Sequence, residues 1–177
     1  MGLTPADLAQ LTASYEANMA ALRARTLAEG KFSWQMLWSG GAPDSVGSTC
    51  PSPLVRNATC AADLRALCSA SSPQQVNRTL LYAFAPGGCG GSPDVLPDFD
   101  NDLANFLLVR GPYAYLGTGW LGCSHTYLAP AALSVDYGVP SGLCAETAPG
   151  SGVFSRDFSK STVTMDCASW SSTIVMK

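Results

Sequence analysis

Apolar side chains recur at helical spacing near the amino terminus of the chain. They form one predicted helical face made of Leu8, Leu11, Tyr15, Met19 and Leu22. Thr4 fits the N-cap of this helix, because Pro5 suits the first turn and Asp7 suits the positive end of the helix dipole. Gly30 is expected to end the helix, since glycine takes the left-handed conformation at low cost.

The middle of the chain combines strand and helix patterns. Residues 32–37 alternate bulky and polar side chains, which predicts a β-strand. Residues 103–109 predict a buried helix that stops at Gly111, and residues 113–116 predict a buried strand after it. The two strands are expected to run parallel, each preceded by a helix. Residues 80–84 fit a helix or a buried strand equally well.

The carboxyl-terminal residues show a purely β pattern. Short strands are predicted at 153–158, 162–166 and 173–176. The predicted fold class is α/β, with a partial (β/α) barrel-like layer, a short antiparallel β ending and disulfide-stapled loops. A complete eight-fold barrel takes roughly 250 residues, more than the 177 of this chain. We expect a single domain made of barrel-like units over 1–122, an irregular segment over 123–152 and the β ending over 153–177.

Charge and hydropathy predict neither a nucleic-acid partner nor a membrane-spanning segment. The formal net charge is -3 and 13% of the residues are charged, so the sequence carries no basic patch for nucleic acid or anionic lipid. No run of about 18 apolar residues occurs, which predicts no membrane span. The glycine-rich stretch 86–93 lacks the Lys-Ser/Thr of a phosphate-binding loop, and no cofactor is predicted.

The cysteines predict a covalently stapled protein. They lie at Cys50, Cys60, Cys68, Cys89, Cys123, Cys144 and Cys167. Because no C-x-x-C pair occurs, no metal site is predicted. Cys60 and Cys68 fall on a predicted helix, about 12 Å apart along its axis, which is too far for them to bond each other. At least two disulfides are expected, with one thiol left over or paired between chains because the number of cysteines, 7, is odd.

Two N-glycosylation sequons, at Asn57 and Asn77, accompany the cysteines. Asn57 is the preferred site of modification, because it lies in a proline-rich loop before a capped helix. Sequons and cysteines together favour an extracellular or secretory-pathway location, and the alternative is a cytosolic protein with buried thiols. No signal peptide opens the chain, which predicts a mature or trimmed piece.

Acidic residues cluster at the start of the helix over 103–109. Asp98 and Asp100 are candidate catalytic residues, because two carboxylates across a cleft can act as acid and base on a glycosidic bond. The alternative is that they interact with the dipole of the helix. A calcium loop is excluded because Leu103 occupies the position of the required glycine. His125 is the only histidine, and its sequence neighbours do not present a nucleophile to it.

Three stretches carry a resemblance to a known family. They are residues 103–120 (LANFLLVRGPYAYLGTGW), then Asp136, Gly138, Pro140 and Gly142, and finally Phe154, Arg156, Asp157 and Phe158. Together they resemble the carboxyl-terminal part of barrel-type glycoside hydrolases, the hypothetical glycosyl hydrolase family 15. The resemblance covers roughly residues 32–166 and implies a barrel-type fold and a sugar-linked lineage. Such hydrolases carry their carboxylates at strand ends, and neither strand 32–37 nor strand 113–116 ends in Asp or Glu, so no catalytic residue is carried over.

A carbohydrate-binding surface is the remaining candidate site. Flat aromatic rings stack on pyranose rings, and polar side chains bond sugar hydroxyls. The candidate residues are Trp34, Gln35, Trp38, Tyr115, Trp120 and Arg156. The alternative is that these side chains belong to the core. We expect a secreted glycoside-hydrolase-like domain, non-catalytic by itself, that binds carbohydrate or serves as a structural glycoprotein with other subunits. The other functional class is a glycoside hydrolase, or a fragment of one, acting through paired carboxylates.

Overall fold

The computed structural model describes residues 2–31, 34–37, 55, 57–76, 78–83, 99–118 and 130–177. The chain divides into two compact units, Met1–Trp34 and Gln35–Lys177. In chain order, its elements are α1 (Pro5–Ala28), β1 (Trp34–Leu37), α2 (Cys60–Leu67), α3 (Pro73–Val76), β2 (Arg78–Ala83), α4 (Phe99–Val109), β3 (Ala114–Thr118), β4 (Ala145–Glu146), β5 (Val153–Asp157), β6 (Ser161–Asp166) and β7 (Ser171–Met176). Short 3-10 helices cover Asn57–Thr59 and Ala131–Ser134.

Helix α1 confirms the predicted amino-terminal helix and its ends. The Asp7 backbone N–H donates to the Thr4 hydroxyl at 3.2 Å, and the Thr4 N–H donates to the Asp7 carboxylate at 2.9 Å. This reciprocal capping box lowers the pKa of Asp7. Gly30 follows the helix with φ at +67°, as expected. No residue of α1 is buried, and Leu11, in the middle of the predicted apolar face, is 53% exposed.

Strands β1, β2 and β3 form one sheet in that order. β2 and β3 run parallel, with Thr79 opposite Ala114 and Ala83 opposite Thr118. Both predicted strands are therefore confirmed, and the ambiguous stretch near residue 80 is a strand that lies between them. A barrel-like layer is not shown by the part of the chain that the structure describes.

Helix α4 separates β2 from β3 along the chain and contacts strands of both sheets of the protein. It packs against β2 of the parallel sheet and against β5, β6 and β7 of a second sheet. Its residues from Leu103 to Val109 are all buried, the polar Asn105 among them, because other elements cover the helix on several sides. α4 is therefore the centre of the larger unit.

The predicted β ending is confirmed as an antiparallel sheet with the order β4-β5-β6-β7. Along β6, buried and half-buried residues alternate, which is the pattern of a strand with one face on the core. Phe154, Val163 and Met165 belong to the buried cluster that contains the α4 side chains. β4 is an addition to the prediction, since the segment 123–152 was expected to be irregular.

Two disulfides staple the larger unit, as expected. Cys60, at the start of α2, bonds Cys167, which directly follows β6. Cys68, at the end of α2, bonds Cys144, which directly precedes β4. Both ends of one helix are therefore tied to the β ending. The other predicted disulfide candidates, Cys50, Cys89 and Cys123, lie outside the described residues.

Candidate functional site

A groove of about 430 Å³ opens beside α4 in the larger unit. Its lining comes from one face of α4 with Arg110, from residues 114–116 of β3, and from residues 132–135 with Tyr137. We call it the α4–β3 groove. Leu103, Phe106, Leu107 and Arg110 share one face because residues three and four apart are neighbours on a helix. The lining thus combines apolar side chains with polar groups at its walls.

Tyr115 is the predicted carbohydrate-binding residue that the structure places in the groove. It lies on β3 and is 57% exposed, whereas its strand neighbours Ala114 and Leu116 are half-buried. An exposed tyrosine ring beside apolar side chains offers a flat surface with one polar end. This combination suits the apolar face and the hydroxyl groups of a sugar.

Arg110 brings a positive charge to the same groove. One Nη of its guanidinium donates to the Gly138 carbonyl at 3.2 Å, and the guanidinium carbon lies 5.3 Å from the centre of the Phe158 ring. Its Nε is buried and has no hydrogen-bond partner among the described residues. Burial lowers the pKa of Arg110. The groove therefore contains a partly desolvated cation whose hydrogen-bonding capacity is not used up.

Arg156 lies behind this wall and supports α4. Its side chain is 4% exposed, and one Nη donates to the carbonyls of Leu107, Leu108 and Arg110 at 3.1, 2.9 and 2.7 Å. A cation at these carbonyls satisfies the end of the helix and opposes its dipole. Burial, with the charge of Arg110, lowers the pKa of Arg156 to about 10, so the side chain stays protonated at neutral pH. Its predicted carbohydrate-binding role is disfavoured by this burial.

Tyr137 holds the third wall of the groove in place. Its hydroxyl donates to the Ala132 carbonyl at 2.9 Å, which ties it to the 3-10 helix Ala131–Ser134. Burial raises the pKa of Tyr137, and the negative charge of Asp100 raises it further. The phenol is therefore a neutral hydrogen-bonding group over the physiological pH range.

The motif Asp136-Gly138-Pro140-Gly142 packs against the turn between β5 and β6. The Gly138 N–H donates to the Asp136 carboxylate at 2.9 Å, and Gly138 has φ at +89°. A Cβ there would lie 2.7 Å from the Lys160 backbone nitrogen, so a side chain does not fit. The Gly142 carbonyl accepts from Arg156 Nε at 2.8 Å. The motif thus has a structural role in positioning the segment that forms the third wall.

Carboxylates are absent from the lining of the α4–β3 groove as far as the chain is described. Asp100 is exposed at the start of α4, where its backbone carbonyl accepts from the Ser172 hydroxyl at 3.3 Å. Asp136 and Asp157 pair with Lys160 and Lys177 at the surface. Asp98, the other candidate catalytic residue, lies outside the described residues. The structure therefore brings no described pair of carboxylates together in this groove.

The other predicted site residues fall in several places. Trp34 and Gln35 lie on β1, while Trp38, Trp120 and Asn77 lie outside the described residues. Asn57 is exposed in the 3-10 helix before α2, where a glycan has room. Within the described residues, no group of three or more His, Cys, Asp or Glu side chains is placed to hold a metal ion. No helix in that part of the chain is long and apolar enough to cross a membrane.

Sequence reasoning missed Arg110 and Tyr137 as groove residues. Arg110 could have been found, because it shares a helical face with Leu103, Phe106 and Leu107 and precedes the predicted strand. Tyr137 gave no comparable signal, since it reaches the groove only through the fold of an irregular segment.

Comparison with known proteins assigns the chain to no family. No protein-family model matches the chain, and no curated protein sequence is significantly similar to it. The resemblance to glycoside hydrolases therefore rests on the motifs in the sequence.

Proposed function

We propose that this protein is a secreted, glycoside-hydrolase-like domain that binds carbohydrate in the α4–β3 groove and does not cleave it by itself. The observation that carries the proposal is the exposed ring of Tyr115 in a groove that combines apolar side chains with Arg110. A barrel-type ancestry is part of the proposal. It is supported by the parallel pair β2 and β3, with α4 between them along the chain.

The groove suits binding by stacking and hydrogen bonding. Tyr115 offers a ring face to a pyranose, in a groove whose lining also includes the largely buried α4 side chains Leu103 and Phe106. The Arg110 guanidinium supplies a donor at the wall. Sites of this kind combine an apolar surface with a small number of placed polar groups.

The lack of turnover follows from the groove's chemistry. Hydrolysis with retention or inversion needs two carboxyl groups, about 5 to 9.5 Å apart, on either side of the scissile bond. The described lining supplies none. Asp100 is solvent-exposed at the start of α4 and lies outside the described lining of the groove.

Secretion is supported by the two disulfides and by the exposed sequon at Asn57. Expression in a eukaryotic secretory host tests this part of the proposal. We expect an intact mass larger than that of the polypeptide, which returns to the polypeptide mass after enzymatic removal of N-glycans. The bare polypeptide mass before that treatment contradicts it.

Affinity electrophoresis in gels that contain soluble polysaccharides tests binding. We expect one or more polysaccharides to retard the protein, and Tyr115→Ala to weaken that affinity about twofold to tenfold, the value of one aromatic contact. Tyr15→Ala is the matched control, because Tyr15 is an equally exposed tyrosine on α1 and outside the groove. No retardation on any polysaccharide overturns the proposal.

A reducing-sugar assay on the same polysaccharides separates binding from catalysis. We expect no release of reducing ends by the purified chain. Release that disappears in Asp100→Asn supports instead the other class, a hydrolase with paired carboxylates, and contradicts the non-catalytic part of the proposal.

An assembly role is the second candidate function, and α1 favours it. Its exposed apolar side chains, including Leu8, Leu11 and Leu22, are the kind of surface that partner subunits cover. Sedimentation of the intact protein tests this. A mass larger than one chain that falls to one chain in Leu11→Glu supports assembly through α1, and a single-chain mass at all concentrations excludes self-association as its form.

A further inference from the structure

Two arginine side chains lie against one aromatic ring beside the groove. The guanidinium carbons of Arg110 and Arg156 lie 5.3 and 5.4 Å from the centre of the Phe158 ring. Their positive charges repel each other, and both are partly or fully removed from water. A buried charge is costly unless an opposite charge or a full set of hydrogen bonds compensates it.

Three carboxylates of the larger unit are paired with other side chains. Glu146 pairs with Arg65, Asp136 with Lys160, and Asp157 with Lys177. Among the residues that the structure describes, none places a carboxylate within ion-pair distance of Arg110 or Arg156. Within the described part of the chain, the two charges are therefore compensated by backbone carbonyls.

The positive charges of Arg110 and Arg156 are compensated by different numbers of backbone carbonyls. Arg156 meets four backbone carbonyls, those of Leu107, Leu108, Arg110 and Gly142, and so neutralises the carboxyl-terminal end of α4. Arg110 meets one carbonyl, that of Gly138, and its buried Nε has no hydrogen-bond partner in the described part of the chain. Arg110 is also the arginine that lines the groove.

We propose that the α4–β3 groove selects an anionic saccharide, with a carboxylate or sulfate group of the sugar on the Arg110 guanidinium and its ring on Tyr115. This inference rests on the proposed carbohydrate binding and names the chemical class of the ligand. An acidic group supplies a counter-charge that no described side chain gives Arg110, in a partly desolvated setting where such a bond is stronger than in water. A neutral sugar supplies no counter-charge.

Titration calorimetry with oligosaccharides of equal length tests the selection. The probes are an oligogalacturonate, which carries carboxylates, a sulfated galacto-oligosaccharide and the unmodified galacto-oligosaccharide. We expect at least one anionic probe to bind about ten- to a hundredfold more tightly than the neutral one, the value of a charged hydrogen bond. Which anionic probe binds distinguishes a carboxylate ligand from a sulfate ligand. Affinity for it should fall as the salt concentration rises.

Arg110→Gln tests whether Arg110 causes the preference for the anionic probe, and Arg25→Gln is its control. The control removes the same charge and side chain from an exposed position on α1, so the net charge of the two variants is equal. We expect Arg110→Gln to bring the anionic probe down to the affinity of the neutral one, while Arg25→Gln leaves the preference unchanged. Near-ultraviolet circular dichroism confirms that each variant is folded, and the comparison of probes on the unaltered protein needs no variant.

The outcomes separate this inference from the proposed function. Equal affinity for neutral and anionic probes, or an anionic preference that survives in Arg110→Gln, overturns the selection and leaves carbohydrate binding in place. Failure of every probe to bind, together with no retardation on any polysaccharide, overturns both.

Discussion

Helices α1 and α4 have opposite environments. In α1 no residue is buried, whereas in α4 the buried residues include every one from Leu103 to Val109. α1 is held by local interactions, such as the Thr4–Asp7 capping box. α4 is held by side chains that are distant in sequence, among them Arg156 at its carboxyl-terminal end. The contrast separates what stabilises a helix locally from what builds a core around it.

The contrast also locates the candidate site. The groove forms where one face of α4 meets β3 and the segment before β4, so its shape depends on the packing of α4. A site on α1 would depend on the partner that covers its apolar side chains. The four predictions below test this division between local and long-range stabilisation.

Removing the disulfide between Cys60 and Cys167 should have the largest effect. The two residues are 107 positions apart, so Cys60→Ser with Cys167→Ser releases a long loop in the unfolded chain and lowers the free energy of unfolding by about 4 kcal/mol. Guanidinium unfolding of the larger unit measures the loss. Hydrogen exchange in α1 is the control and should stay unchanged, because the bond does not involve that helix. If hydrogen exchange becomes faster by the same factor in α1 and α4, the two helices are not stabilised separately by local and long-range interactions.

Truncation of a leucine in each helix compares them directly. Leu108 is fully buried, so Leu108→Ala should lower the free energy of unfolding by about 3 kcal/mol through lost burial and a cavity. Leu11→Ala makes the same chemical change at an exposed position and should change it by less than about 0.5 kcal/mol. Denaturant midpoints of both variants provide the measurement. Similar losses at the two positions show that α1 is covered in solution.

The ends of the two helices should respond differently to loss of their caps. Arg156→Gln leaves the carbonyls of Leu107 and Leu108 without their charged donor and should cost about 2 kcal/mol in unfolding of the larger unit. Thr4→Ala should cost about 1 kcal/mol, confined to fraying of the first turn of α1. Residue-level hydrogen exchange distinguishes a global loss from a local one. If Arg156→Gln speeds hydrogen exchange only near residue 156, Arg156 does not stabilise the larger unit as a whole.

The smallest effect concerns pH and the β ending. Two hydrogen bonds from Arg65, at 2.6 and 3.0 Å, and one from the Gly152 N–H lower the pKa of Glu146 from 4.5 to about 2. Because folding lowers this pKa, the ionised carboxylate stabilises the fold above pH 4.5, and the contribution is lost as the pH falls towards 2. In Glu146→Gln the melting temperature should therefore fall less steeply between pH 4.5 and pH 2. Glu16→Gln, at an exposed position on α1, should leave it unchanged.

Much of the secondary structure could be predicted from local pattern. Thr4 and Gly30 delimited α1 because caps and left-handed glycines act within one turn. Short β-type runs predicted β5, β6 and β7, and in β5 and β6 buried residues alternate with half-buried ones, as in a strand with one buried face. The cysteine spacing excluded a bond between Cys60 and Cys68, because the rise of a helix sets their separation.

Only the tertiary structure decided which predicted faces are buried and what surrounds the groove. The apolar spacing of α1 resembles that of a core helix, yet spacing records only that residues share a face, not that another element covers it. Arg156 was expected at a sugar, and its burial at the end of α4 follows from a pairing of residues 46 to 49 positions apart in sequence. Such contacts depend on how elements pack, which local pattern does not encode. Tyr115 was identified from its chemistry, and Arg110 shares a helical face that the sequence pattern already contains. Tyr137 joins them only because the fold brings the segment before β4 to α4 and β3.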